Sequence, residues 1–83
     1  MTTTKQKYLN NVLLIDSGEI DNYINRKVLE SCCASNILTF ESPVTALQFL
    51  EQTTFIPQLI LLDIYFPTMD GFEFIDEFRK LKI

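Results

Sequence analysis

Histidine is absent from this sequence, and with it go Ser-His and Cys-His nucleophilic catalysis and every His-ligated metal site. Glycine is scarce. The two present, Gly18 and Gly71, sit in separate turns, and Ser17-Gly18 is no glycine-rich phosphate loop, so flavin or nucleotide binding of that kind lacks support. The only cysteines, Cys32 and Cys33, are adjacent, a poor geometry for a mutual disulfide, and neither has a spaced partner, so both read as buried or half-buried thiols. Basic residues number 7 against 11 acidic ones, for a net charge of −4, which leaves no cationic stripe for a phosphate backbone. Direct nucleic-acid binding by this chain is not expected. No apolar run approaches the ~20 residues that span a bilayer. The start, Met1-Thr2-Thr3-Thr4-Lys5-Gln6-Lys7, lacks the apolar segment of a signal peptide. A cytoplasmic protein without membrane attachment is the expectation.

What is present is organised around Leu59-Ile60-Leu61-Leu62-Asp63. Branched apolar residues in sequence read as a strand buried on both faces, and the run ends at a carboxylate. Pro67 forbids continuation of the ladder, Met69-Asp70-Gly71 reads as a turn, and Phe72 onward resumes at helical spacing. The same pattern occurs earlier, where Tyr8-Leu9 and Val12-Leu13-Leu14-Ile15 form an apolar strand that ends in Asp16. Residues 1 to 7 are a polar lead-in, expected to be disordered. After Ser17-Gly18, Glu19 and Asp21 place negative charge in a first helical turn, and Ile20, Ile24, Val28 and Cys32 recur every fourth residue with Leu29 alongside. They predict an amphipathic helix whose remaining faces, Asn22, Asn25, Arg26, Lys27 and Glu30, are solvated. Ser35-Asn36 breaks the pattern before a short edge strand, Ile37 to Phe40. Ser42-Pro43 is an N-cap with proline at the first helical position, opening a helix that buries Val44, Leu47, Leu50 and Phe49. A third helix buries some of Phe72, Phe74, Ile75 and Phe78, with Arg79, Lys80 and Lys82 at its C-terminal end.

Strands alternating with helices predict an α/β fold with a parallel sheet, here β-α-β-α-β-α in a single domain over residues 1–83. The economical strand order is 2-1-3, which makes Asp16 and Asp63 neighbours on the edge where α/β sheets bind ligands. Carboxylates that converge repel, and they stay ionised together only around a cation or by sharing a proton. Oxygen ligands without His or paired Cys suit Mg²⁺. A hard cation on one carboxylate, with positions open to phosphate oxygens, lets an Asp accept a phosphoryl group.

The two motifs, Val12-Leu13-Leu14-Ile15-Asp16-Ser17 and Leu59 to Gly71 with its Asp63, Pro67 and Met69-Asp70-Gly71 spacing, resemble the receiver domain of two-component response regulators from about Tyr8 to the last residue. The resemblance implies a three-layer flavodoxin-like fold, of which these residues cover the first three strand-helix units. It implies that Asp63 takes a phosphoryl group from a sensor histidine kinase or phosphotransfer protein, so that the chain is a phosphoacceptor in a phosphorelay and not an enzyme. It also implies that Asp16 holds Mg²⁺ largely through water and that the backbone carbonyl of Tyr65 is a direct ligand. Asp70-Gly71 would shape the loop entering the third helix.

Ser17 departs from the pattern, because family members usually carry a second acid there as a direct Mg²⁺ ligand. Glu19, beside it, reads as dipole compensation. The two further strand-helix units of a receiver, with their Ser or Thr and Lys contacts to the phosphoryl group, are not among these residues. A degenerate pseudo-receiver that serves as a protein-interaction module is therefore the alternative reading. A haloacid dehalogenase phosphatase would need a second Asp two residues after Asp63, where Tyr65 stands. With the outer edge of the third strand unpaired and the sheet partly bare, a homodimer or higher oligomer is expected.

Overall fold

The computed structural model describes residues 8–63 and 69–81. The expected lead-in at residues 1–7 lies outside them. Three strands and three helices alternate: β1 (Leu9–Ile15), α1 (Glu19–Cys32), β2 (Ala34–Phe40), α2 (Pro43–Gln52), β3 (Leu59–Leu62) and α3 (Gly71–Arg79). The strands form one parallel sheet in the order β2-β1-β3, as expected for a flavodoxin-like α/β arrangement.

β1 is the centre of the molecule because its side chains alternate between two apolar layers. Leu13 and Ile15 face α2 and α3, where Ala46, Leu47, Leu50 and Phe74 close over them. Val12 and Leu14 face the other way, toward Ala34, Ile37 and Leu29 of α1. Helices therefore cover both faces, and all four residues from Val12 to Ile15 are at most 1% exposed. Full burial belongs to β1 rather than to β3, whose run of branched residues promised it. β3 is an outer strand among the described residues, and Leu61 is 40% exposed.

The helix starts follow their capping chemistry. Ser42 Oγ accepts a hydrogen bond from the Val44 N–H at 3.2 Å with Pro43 at the first position of α2, and Asp70 Oδ1 accepts from the Glu73 N–H at 2.8 Å to open α3. Each such cap satisfies a donor that the helix leaves unpaired. At the far end of α3, Lys80 pairs with Glu77 at 2.8 Å, and the carboxylate raises the ammonium pKa above its ordinary value. α2 buries Pro43, Ala46, Leu47 and Leu50 with Phe49 half-buried, while Val44 is exposed. α3 buries Phe74, leaves Phe78 half-buried and leaves Phe72 and Ile75 exposed. Among the described residues no helix is long and apolar enough to cross a membrane.

Two further expectations need correction. β2 begins at Ala34 and runs through Ser35-Asn36, because Asn36 takes a left-handed conformation (φ 55°) beside Asn11 in β1 (φ 60°), and the two kinks keep the strands in step. Asn tolerates that region better than most residues. The second concerns α1. Ile20, Ile24 and Val28 are 72%, 52% and 57% exposed, Cys32 is exposed too, and the buried residue of the helix is Asn22. The apolar stripe points away from the sheet.

This arrangement makes the stripe and the core respond differently to substitution. Leu13→Ala should cost about 3 kcal/mol through cavity formation, whereas Ile24→Ser should stay within about 0.5 kcal/mol. Urea unfolding followed by circular dichroism measures both. A loss above about 2 kcal/mol in Ile24→Ser would mean that another surface covers the stripe in solution.

Candidate functional site

The register of the sheet decides where the two carboxylates emerge. Ile15 pairs with Phe40 on one side and with Leu62 on the other, so the next residues out, Asp16 and Asp63, lie opposite one another on adjacent strands. Neighbouring strands stand about 4.8 Å apart. The ladder holds to this point, since the Asp63 N–H donates to the Ile15 carbonyl at 3.0 Å and the Asp16 N–H donates to the Phe40 carbonyl at 3.1 Å. The alternation that turns Leu14 and Leu61 toward α1 brings Asp16 and Asp63 to the same side. There a cleft of about 540 Å³ is lined by Leu14, Ile15, Asp16, Asn22, Asn25, Leu61, Leu62 and Asp63.

Asp16 is held firmly. Its Oδ1 accepts from the Gly18 N–H at 2.8 Å, a local turn that leads the chain from β1 into α1. Its backbone carbonyl accepts from Asn22 Nδ2 at 2.9 Å. A side chain at position 18 would meet the Asp21 carboxylate at 2.7 Å and Asp16 Oδ1 at 3.3 Å, so this turn is tight enough to favour glycine. Glu19 and Asp21 lie in the first turn of α1, where negative charge complements the helix dipole, as expected. Ser17 is exposed in the turn and is not among the residues lining the cleft. Among the described residues no third His, Cys, Asp or Glu joins the pair.

The sequence reading missed Asn22 and Asn25. Both line the cleft; Asn25 is exposed, as expected, whereas Asn22, expected to be solvated, is 5% exposed. A signal was present in the spacing. Asn22 stands seven residues before the half-buried Leu29, two turns along the same helix face. The stronger stripe at Ile20, Ile24 and Val28 masked it.

No family model matches the chain. Response regulator mcs4 of Schizosaccharomyces pombe is similar to it, with 37% identity over 87% of the chain. Sensor histidine kinase CheAY of Helicobacter pylori is 38% identical over 83% of it. Over most of its length the chain thus resembles the receiver part of response-regulator proteins. The chain spans 13% of the length of the first relative and 8% of the second. Of the receiver positions, Asp16, Ser17, Asp63, Asp70 and Gly71 fall within the described residues, and Tyr65 and Pro67 lie outside them. The receiver's Asp70 is the N-cap of α3, which accounts for the Asp-Gly pair as helix-starting chemistry.

The donor set fits a hard cation. Two carboxylates meet at a strand edge with oxygen and amide groups around them and no thiol or imidazole among the lining residues. Asp16 also has a purely structural part to play through its turn with Gly18. Asp16→Asn keeps an acceptor oxygen for that turn and should unfold within about 0.5 kcal/mol of the parent, while Asp16→Ala should lose about 1 kcal/mol. Denaturant midpoints compare the two. Equal losses would show that the turn contributes nothing.

Proposed function

We propose that the chain is a phosphorelay receiver module in which Asp63 accepts a phosphoryl group from a sensor histidine kinase or a phosphotransfer protein in the cytoplasm. The observation that carries the reading is the juxtaposition of Asp16 and Asp63 at the ends of β1 and β3, and the similarity to a response regulator and a sensor histidine kinase supports it. An Asp63 carboxylate oxygen attacks phosphorus, the bond from phosphorus to the histidine nitrogen breaks, and the imidazole leaves and takes up a proton. An acyl phosphate remains on Asp63. The chain holds the phosphoacceptor and turns over no substrate, so it is not an enzyme in its own right.

Asp16 and Asp63, with the Tyr65 carbonyl and Ser17 at the remaining positions, would hold Mg²⁺, which supplies neutralisation of charge on the transferring oxygens. Ser17, which is not among the residues lining the cleft, would offer at most a neutral hydroxyl where receivers usually have a carboxylate, so the cation would be held weakly. That substitution also favours a second reading, a pseudo-receiver that keeps the fold as a protein-interaction module without phosphotransfer. The exposed α1 stripe suits self-association as a homodimer or higher oligomer.

Acetyl phosphate should label the chain slowly and only with Mg²⁺ present, with no label on Asp63→Asn. Intact-mass spectrometry reads the added phosphoryl mass, and label that persists in Asp63→Asn would overturn the assignment. Ser17→Asp should tighten Mg²⁺ binding at least about tenfold, followed by amide shifts at Asp16 and Gly18. No phosphorylation even in Ser17→Asp would favour the pseudo-receiver. Light scattering behind a sizing column should find a dimer or larger species at tens of micromolar, and a monomer there would count against self-association.

A further inference from the structure

Asn22 is a polar residue buried on the sheet-facing side of α1, and its contacts serve the site rather than the core. Its Nδ2 donates to two backbone carbonyls at once, Asp16 at 2.9 Å and Phe40 at 3.3 Å, the residues with which β1 and β2 leave the sheet. The orientation of the amide follows from chemistry, because a reversed amide would set its oxygen against two carbonyl oxygens. The other amide atom, Oδ1, is buried without a partner among the described residues. Two hydrogen bonds are made and one buried acceptor is left unmet, so the gain and the cost offset one another. What it supplies is position.

Asp16 shows the effect. Its N–H is fixed by Phe40, its Oδ1 by Gly18 and its carbonyl by Asn22. With these three atoms fixed, Oδ2 is the remaining polar atom of the residue, and Asp16 lines the cleft together with Asp63. Removing the Asn22 contact would release the peptide that carries Asp16 while leaving the apolar layers on both faces of β1 untouched.

We propose that Asn22 is a positioning residue for the acidic cleft, tying the ends of β1 and β2 so that Asp16 is held in fixed relation to Asp63. The inference rests on the reading of that cleft as a cation and phosphoryl site. Its role is separate from stability, and that separation makes it testable. A second, unrelated change, Leu50→Val in the layer beneath α2, serves as a comparison of modest stability cost away from the cleft.

The experiment measures amide hydrogen exchange and Mg²⁺ titration by NMR on the full chain, on Asn22→Ala and on Leu50→Val. In Asn22→Ala the Asp16 amide should lose at least about tenfold of its protection relative to Leu13, and Mg²⁺ affinity should fall by about 10-fold or more. Leu50→Val should lower protection evenly across β1 and leave Mg²⁺ affinity within twofold. If Asn22→Ala does not fold, Asn22→Ser keeps one donor and should give a smaller change of the same pattern. Asp16 protection and Mg²⁺ affinity unchanged in a folded Asn22 variant would overturn the proposal. Failure of the parent chain to bind Mg²⁺ at all would instead remove the cation reading, while selective loss of Asp16 protection would still establish the tie.

Discussion

The register between β1 and its two neighbours is the constraint on which the rest of the molecule depends. Pairing Ile15 with both Phe40 and Leu62 ends the two ladders at the same level, so the chain leaves the sheet at Asp16 and at Asp63 side by side. A slip of one residue in either pair would turn the apolar set of that strand to the opposite face and separate the carboxylates. Register is held by burial. Val12, Leu13, Leu14 and Ile15 fill both apolar layers. The same force that stabilises the fold therefore brings two like charges together at its edge.

That edge runs against the ordinary preferences of a folded chain. Two carboxylates are brought to one end of the sheet, and among the described residues an amide acceptor is left buried without a partner beside them. Neither feature benefits stability, and both border the same cleft. Local conflict concentrated at one place is what a functional site commonly shows.

Much of this was legible in the sequence, because burial and turn chemistry leave strong local marks. Each apolar run that stops at an Asp marked a strand end, Ser42-Pro43 marked a helix start, and the alternation of elements fixed the 2-1-3 order. The reading failed where a residue's environment is set by distant parts of the chain. Four-residue spacing at Ile20, Ile24 and Val28 shows that a helix has an apolar side and says nothing about which neighbour meets it, and the sheet took the Asn22 and Leu29 side. Leu61 looked like core by its neighbours in sequence, but β3 lies at an outer position. Ser35-Asn36 looked like a break, since a left-handed Asn inside a strand is visible only when its partner Asn11 is kinked in the same way.

Those two kinked residues stand at the opposite end of the sheet from the carboxylates, and they are the left-handed non-glycine residues among those described. The sheet is thereby polarised. One end is held by backbone shapes that few side chains tolerate, and the other by particular side chains carried on backbone that most residues could adopt. Sequence drift would be felt at the first end as a weaker fold and at the second as altered chemistry in an intact one. A lineage could thus exchange one activity for another at the carboxylate end while the kinked end stayed as it is.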